Sequence, residues 1–325
     1  MTRRILILGG ARFHGFQLIE YLANREDEIY VLNRGKYRTN YNGNIKHLIA
    51  DRNDAKHLKA VLNNLCFDAV IDNNAYNISQ VEGILALLSE RCGHYIFTST
   101  AAVYQALYSD HRLREDEAKG VLNKTYSPVV KNYALNKFIA EETLRHKYEC
   151  LNYTIIRFPN IFGIGDFLGK LGFFYHRFKD GRKILLEKEV GRFSLICAKD
   201  VVRVMSAVIN NEKCFGKTIN VADRTTYNYE QFFSSIFGPM YSQEKIVFLP
   251  AREMWDAGYF LPLAWGPMVD TTLFETLFDN IYFTSINTWG KSTLEWELDR
   301  FKNIPSEPAF IYTRKCELDL IMNLG

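Results

Sequence analysis

The sequence predicts an α/β protein: a doubly wound parallel sheet with a second, smaller lobe drawn mainly from the C-terminal part. Three observations predict it. Short apolar runs alternate with helix-period segments through the first hundred residues. The first run ends in a glycine-rich turn, Gly9-Gly10-Ala11-Arg12-Phe13-His14-Gly15. The later runs end in polar clusters, and an open α/β sheet gathers its ligands at such strand ends.

Ile5-Leu6-Ile7-Leu8 reads as a buried strand, and the residues after the turn form a helix with Phe16, Leu18, Ile19, Tyr21 and Leu22 as its apolar stripe. Strand, glycine turn and helix are what a dinucleotide pyrophosphate needs. Glycine lets the backbone approach the phosphates, and the helix N-terminus meets them with free N–H groups. The spacing is Gly-x-x-Arg-x-x-Gly, so Arg12 occupies the place of the usual middle glycine. A plain tight turn is the alternative.

The second strand, Ile29 to Leu32, ends in Asn33-Arg34-Gly35-Lys36, with no acid between Tyr30 and Ala50. An NAD site normally places Asp or Glu here for the ribose 2′-hydroxyl, whereas arginine accommodates a 2′-phosphate. Arg34, with Arg12 and Lys36, therefore predicts NADP rather than NAD; a solvated basic loop is the alternative. His47-Leu48-Ile49 leads into Asp51-Arg52-Asn53-Asp54 and a helix to Leu65. Asp68 to Asp72 is a strand ending in Asn73-Asn74-Ala75, and Val81 to Leu88 is helical. Tyr95-Ile96-Phe97 opens a fifth strand that ends in Thr98-Ser99-Thr100-Ala101-Ala102-Val103-Tyr104.

Farther on, Asn132 to Tyr148 has a helical stripe of Ala134, Leu135, Phe138, Ile139 and Leu144. It carries Tyr133 and Lys137, four residues apart and so on one face. An ammonium beside a phenol lowers its pKa from about 10 and makes a usable proton donor and acceptor. By itself this spacing is common on solvated helix faces.

A chain of 325 residues, 47% hydrophobic and 24% charged, can bury a full sheet core plus a second lobe. Aromatic residues make up 14% and concentrate late, at Phe173-Phe174-Tyr175, Phe232-Phe233, Trp255, Tyr259-Phe260, Trp265 and Tyr282-Phe283, most of them expected in the core. A net charge of +3 is too small and dispersed to argue for nucleic acid. The six cysteines lack Cys-x-x-Cys spacing and the seven histidines form no ligand pair, so reduced thiols in a cytoplasmic protein and no metal are expected. No targeting segment or run of ~20 apolar residues is seen, so no membrane span is expected. The acids between Gln105 and Lys131 read as a solvated loop, and Asp166 to Gly172 as a hinge candidate or an ordinary loop.

Taken together, these pieces resemble the extended short-chain dehydrogenase/reductase family of nucleotide-sugar epimerases, dehydratases and ketoreductases. The glycine turn, Ser99-Thr100-Ala101-Ala102-Val103-Tyr104, Tyr133-x-x-x-Lys137 and Arg157-Phe158-Pro159-Asn160-Ile161-Phe162-Gly163 carry the likeness. So do Ala198-Lys199-Asp200-Val201-Val202 and Thr218-Ile219-Asn220-Val221, all in family order over roughly the first 225 residues. The resemblance implies a Rossmann domain from 1–163 and 198–223 and a nucleotide-sugar domain from 164–197 and 224–325. It implies that Thr100 binds the substrate oxygen, Tyr133 passes the proton, and Lys137 holds the nicotinamide ribose and lowers the Tyr133 pKa. Gly9, Arg12, Phe13, Gly15, Asn33, Arg34, Asp51, Arg52, Asn74, Ala75, Ser99 and Phe158 would bind the cofactor, with Asp51 at the adenine. Asn160 and Arg192 would bind substrate, Asn160 at the diphosphate. Two departures stand out: Arg12, as in a branch with Gly-Gly-x-Arg-Phe that includes chloroplast stem-loop RNA-binding proteins, and Gln105, where glycine usually follows Val-Tyr.

A reductase consumes reduced cofactor at every turnover, whereas an epimerase regenerates its own. The missing acid after the second strand therefore favours NADPH-dependent reduction of a nucleotide-linked 4-keto-6-deoxyhexose in sugar-nucleotide biosynthesis. The alternatives are an NDP-sugar 4-epimerase and, from another class, an RNA-binding protein on the same fold. A nucleotide sugar is the expected partner, and a homodimer is compatible with it.

Overall fold

The computed structural model describes residues 2–37, 41, 44–105, 108–120, 128–262, 265–300 and 308–323. Its strands are β1 (Arg4–Leu8), β2 (Glu28–Asn33), β3 (Ile45–Ile49), β4 (Ala69–Asp72), β5 (Tyr95–Thr100), β6 (Tyr153–Phe158), β7 (Asn160–Phe162), β8 (Ile184–Glu187), β9 (Leu195–Cys197), β10 (Lys217–Asn220) and β11 (Ile246–Leu249). The helices are α1 (Phe13–Ala23), α2 (Ala55–Leu62), α3 (Ile78–Leu88), α4 (Pro128–Lys147), α5 (Lys170–Asp180), α6 (Ala198–Val208), α7 (Tyr229–Phe237), α8 (Ala251–Asp256), α9 (Thr272–Leu277), α10 (Ile286–Arg300) and α11 (Pro308–Met322). Among the described residues, no helix is long and apolar enough to cross a membrane.

Seven strands form one parallel sheet in the order β10-β6-β5-β4-β1-β2-β3. The strand order reverses between β1 and β4, and that switch point opens a crevice at the carboxyl ends of both strands. Strands buried on both faces read as continuous apolar runs, which is why β1, β2 and β4 stand out in the sequence. β5 runs three residues beyond its apolar start because Ser99 and Thr100 pair in register with Arg157 and Phe158 of β6. Asp54 and Asn77 start α2 and α3 by accepting from His57 N (3.0 Å) and Gln80 N (3.1 Å).

Apolar side chains fill both faces of the sheet. Leu18, Ile19 and Leu22 of α1 pack with Val201 and Met205 of α6 on one side; Leu58, Val81, Leu85 and Leu144 cover the other. A separate core holds most of the late aromatics, including Phe174, Phe193, Phe232, Phe233, Tyr259 and Trp265. A buried ion pair from Arg177 Nε to Glu317 Oε2 (2.8 Å) ties α5 to α11.

The loop after Tyr104 departs from expectation. Glu115 is not simply solvated: its carboxylate accepts from Asn220 N at 2.8 Å and its carbonyl from Arg157 Nη1 at 2.8 Å. Burial raises the Glu115 carboxyl above its ordinary pKa. Residues 121–127 of that loop lie outside the described residues. In the 166–172 segment, Gly169 takes φ +61° just before α5, and Lys170 Nζ pairs with Asp166 at 3.0 Å.

Candidate active site and dinucleotide cleft

A cleft of about 510 Å³ opens at the switch point, lined by the glycine turn and by the ends of β2 and β4. Gly9 sits at φ +100°, and a Cβ there would lie 3.1 Å from Asn74 Cγ. Gly15 presses on Gly10, where a Cβ would come within 2.9 Å of the Gly10 Cα. Both positions therefore need glycine, for a left-handed backbone in one case and for close turn–helix packing in the other. Phe13 holds φ +54°, a rare conformation for a bulky residue at the mouth of a site. The first turn of α1 lines this cleft, so its free N–H groups are placed to meet an anion such as a pyrophosphate.

Arg12 spans the entrance. Its guanidinium lies 4.4 Å from the Tyr37 ring centroid and 3.9 Å from that of Phe167. At the end of β2, Asn33 Oδ1 accepts from Gly35 N (2.8 Å) and contacts His47 Nε2 (2.9 Å), which fixes the amide orientation. The buried Asn33 Nδ2 is left as a donor with no partner. Arg34 and Lys36 also line the cleft, and their charges help hold the Asp51 carboxyl below its usual range, after the bonds from Asn53.

Arg52 also lines the cleft, with most of its guanidinium already engaged. Its guanidinium is occupied by Asp72 (2.8 and 2.7 Å), Asn74 Oδ1 (2.6 Å) and the Gln80 carbonyl (2.9 Å). Asp72 also accepts from Tyr95 Oη (2.7 Å) and from Ala75 N (3.0 Å). Asp72 thus ties the end of β4 to Tyr95 at the start of β5 and to Arg52 in the cleft. Ala75, Ser99 and Phe158 are buried.

Helix α4 places Tyr133 and Lys137 together near Thr100. The Thr100 hydroxyl stands close enough to the Tyr133 phenol to oppose part of the rise in its pKa. Lys137, 3% exposed, donates from Nζ to the Thr98 carbonyl at 2.6 Å and lies 4.6 Å from the Phe97 ring centroid. Burial pulls the Lys137 ammonium down to about 8, against the attraction of Asp72. The expected lowering of the Tyr133 pKa is not what the structure has. Burial, aided by Tyr76, pushes the phenol up to about 12, and Lys137 is directed at Thr98 instead. The ring centroids of Tyr76 and Tyr133 are 6.1 Å apart.

Behind this trio lies a buried scaffold that sequence reasoning missed. Glu141, one turn after Lys137 on α4, accepts from Ser99 Oγ and from Arg157 Nη2 (2.6 Å). Arg157 Nη1 donates to Tyr104 Oη (3.0 Å), which donates to Asn220 Oδ1 (2.7 Å). The i, i+4 ladder Lys137, Glu141, Arg145 was its sequence signal. Gln105, with φ +51°, ends the turn after Thr100 in the left-handed conformation that explains why glycine usually stands there. His14, in the glycine turn, is kept neutral by burial and by Lys170 and Lys137, with a pKa of about 4.

Of the expected substrate contacts, Asn160 begins β7 opposite Leu195 of β9. Arg192 is held by Thr226, with Nε 2.9 Å from Oγ1 and Nη2 donating to the carbonyl. Among the described residues, no group of three or more His, Cys, Asp or Glu is placed to hold a metal.

A parallel sheet with a glycine cradle at its switch point and a Thr–Tyr–Lys cluster beside it defines a dinucleotide-binding α/β protein. More specifically, the chain belongs to the NAD dependent epimerase/dehydratase family, whose model matches residues 5–222. It is 28% identical over 234 residues to the chloroplast stem-loop binding protein of 41 kDa b of Arabidopsis thaliana, and spans 68% of its own length there but only 58% of that protein. It is 26% identical to the UDP-N-acetyl-alpha-D-glucosaminuronate decarboxylase of Bacillus cytotoxicus, covering 80% of this chain and 87% of that one. The fold matches that of the Bordetella bronchiseptica enzyme WbmG in complex with NAD, with a TM-score of 0.73 at 17% identity over 93% of this chain and 95% of that one. It also matches dTDP-glucose 4,6-dehydratase from Bacillus anthracis, with a TM-score of 0.71 at 16% identity over 95% and 100% of the two chains.

Proposed function

We propose that the protein is an NADPH-dependent reductase of a nucleotide-linked 4-keto-6-deoxyhexose, of the dTDP-4-dehydro-6-deoxyglucose reductase type. The observation that carries this reading is the polarity of the rim at the end of β2. Arg34, Lys36 and the unpaired Asn33 Nδ2 put donors at the end of β2, where a ribose 2′-hydroxyl would want a carboxylate acceptor; the Asp51 carboxylate of the same cleft follows β3 instead. A donor rim suits a 2′-phosphate, and a 2′-phosphate suits an enzyme that spends reduced cofactor.

The proton chemistry of the site agrees. With a pKa of about 12, Tyr133 is protonated at neutral pH, which is the form that a reduction consumes. Tyr133 gives its proton to the keto oxygen while Thr100, beside the phenol, holds that oxygen. Lys137, anchored on Thr98, presents its charge to the ribose side of the site. The bound reduced nicotinamide supplies the hydride. In this reading residues 1–163 and 198–223 bind the cofactor and 164–197 with 224–325 hold the nucleotide sugar, with Asn160 at its diphosphate and Arg192 in its site.

The test mixes purified protein with NADPH and a dTDP-4-keto-6-deoxyglucose-type substrate. A reductase oxidises NADPH one for one with loss of the ketone. Interconversion of UDP-glucose and UDP-galactose with no net nicotinamide change would instead establish the 4-epimerase reading, which the family description favours. Salt-sensitive stem-loop binding with neither activity would establish the RNA-binding reading, suggested by the chloroplast relative.

A further inference from the structure

A second cavity, of about 920 Å³, lies between the start of α1, the 163–165 turn and α10. None of Thr100, Tyr133, Lys137, Gly9 or Asp51 lines it, so it is separate from both the reacting groups and the floor of the dinucleotide cleft. The two cavities share a partition, in which Arg12 is held between Tyr37 and Phe167.

The chemistry of the second wall is one-sided. Three cationic side chains line it, Arg12, Lys199 and Arg300, and no acid does among the described residues. Trp296 supplies indole surface from α10, two turns beyond Trp289, whose own ring stacks on Phe162 with centroids 5.6 Å apart. Two donors in this wall are unspent: Trp289 Nε1 and Thr293 Oγ1 have no partner, although the residues are only 3% and 1% exposed. An unpaired buried donor costs about 1–3 kcal/mol, and folded proteins keep few of them without a reason. The volume lies within the roughly 300–1,000 Å³ of small-molecule sites.

We propose that this cavity is a second ligand site that takes a 5′-mononucleotide, with its base against the Trp296 indole and its phosphate among Lys199, Arg300 and Arg12. Aromatic walls without an acid select a planar ring that carries negative charge. A bare anion would leave the indole surface unused, and an uncharged aromatic would leave three cations uncompensated.

The test is isothermal titration calorimetry of the full chain with saturating NADPH present, which keeps nucleotides out of the cofactor cleft. UMP and AMP are titrated separately to identify the base, and ribose 5-phosphate serves as the baseless control. One nucleotide per chain is expected, with ribose 5-phosphate weaker by about tenfold or more, the scale of one lost base-stacking contact. Lys199→Glu and Arg300→Glu, both at exposed residues, are each expected to weaken nucleotide binding about tenfold or more and to leave NADPH binding intact. Thr293→Val, which removes the unspent hydroxyl without opening a void, is expected to weaken it several-fold. Arg192→Ala is expected to leave it unchanged. No nucleotide binding by the wild type, full affinity in both charge reversals, or binding lost only in Arg192→Ala would overturn the proposal; the last outcome would move the nucleotide to the substrate site.

Discussion

Lys137 Nζ donates to the Thr98 carbonyl oxygen at 2.6 Å, joining α4 to β5 two residues before Thr100. The bond fixes where the ammonium stands, and burial around it decides when it is charged: below a pKa of about 8 and not above.

The pH profile of reduction follows from that value. Tyr133 remains protonated until about pH 12, so the phenol costs nothing between pH 6 and 10. Lys137 loses its charge as pH rises through about 8, and the reduction rate is expected to fall with it. Lys137→Arg keeps a cation throughout that window, so a kcat–pH profile that retains its fall near pH 8 in this variant would remove Lys137 as the cause. Tyr133→Phe is expected to keep the fold and lose about a hundredfold or more in kcat.

Cofactor choice can be read from Asn33. Asn33→Asp keeps an acceptor for Gly35 N but turns the unpaired donor into an acceptor. The ratio of NADPH to NADH affinity is expected to fall by roughly one to two decades, as it is in Arg34→Ala. Direct binding titrations of both cofactors check this, and an unchanged ratio in both variants would refute the 2′-phosphate site.

The Glu141–Arg157 pair supports the site from below, with Arg157 1% and Glu141 0% exposed. Removing one partner strands a buried charge, so Arg157→Met is expected to lose about 3–5 kcal/mol in urea unfolding. Combining it with Glu141→Leu is expected to recover part of that loss. Additive losses in the double variant would show that the two residues act independently.

Glu297 gives a stability signature of its own. Its Oε2 accepts from Gly172 N at 2.6 Å, Oε1 has no partner, and burial pushes the carboxyl up to about 8. The folded state therefore holds this proton more tightly than the unfolded chain does. The resulting stability is complete below about pH 4.5 and is lost as pH rises through about 8. Glu297→Gln removes the titration. It is expected to match the wild type at pH 5 and to exceed it by at least about 2 kcal/mol at pH 8.5, measured by denaturant unfolding.

What the sequence revealed and what it hid have physical reasons. β1, β2 and β4 are buried on both faces, so apolar runs betrayed them, and the polar residues after each run marked the cleft. The spacing of Tyr133 and Lys137 gave a shared helix face but not its depth. Depth reversed the pKa expectation, because desolvation of the phenol outweighs a neighbour's charge directed elsewhere. Asp72 looked like the end of a strand and Glu115 like one more solvated acid. Their partners, Arg52 and Asn220, lie 20 and 105 residues away and could not be read locally. The second cavity was hidden for the same reason, since its walls come from α1, the 163–165 turn and α10.

The placement of β10 beside β6 sets a timetable for synthesis. β6 ends at Phe158, but the strand that covers its outer side begins only at Lys217, about 60 residues later. At roughly 5–20 residues per second, a ribosome leaves that edge uncovered for about 3–12 s. An uncovered edge of six residues that are all buried in the finished fold is a template for pairing with another chain. Nascent chains are therefore expected to expose this edge between the emergence of residues 158 and 220, the interval in which shielding by a chaperone would prevent pairing there.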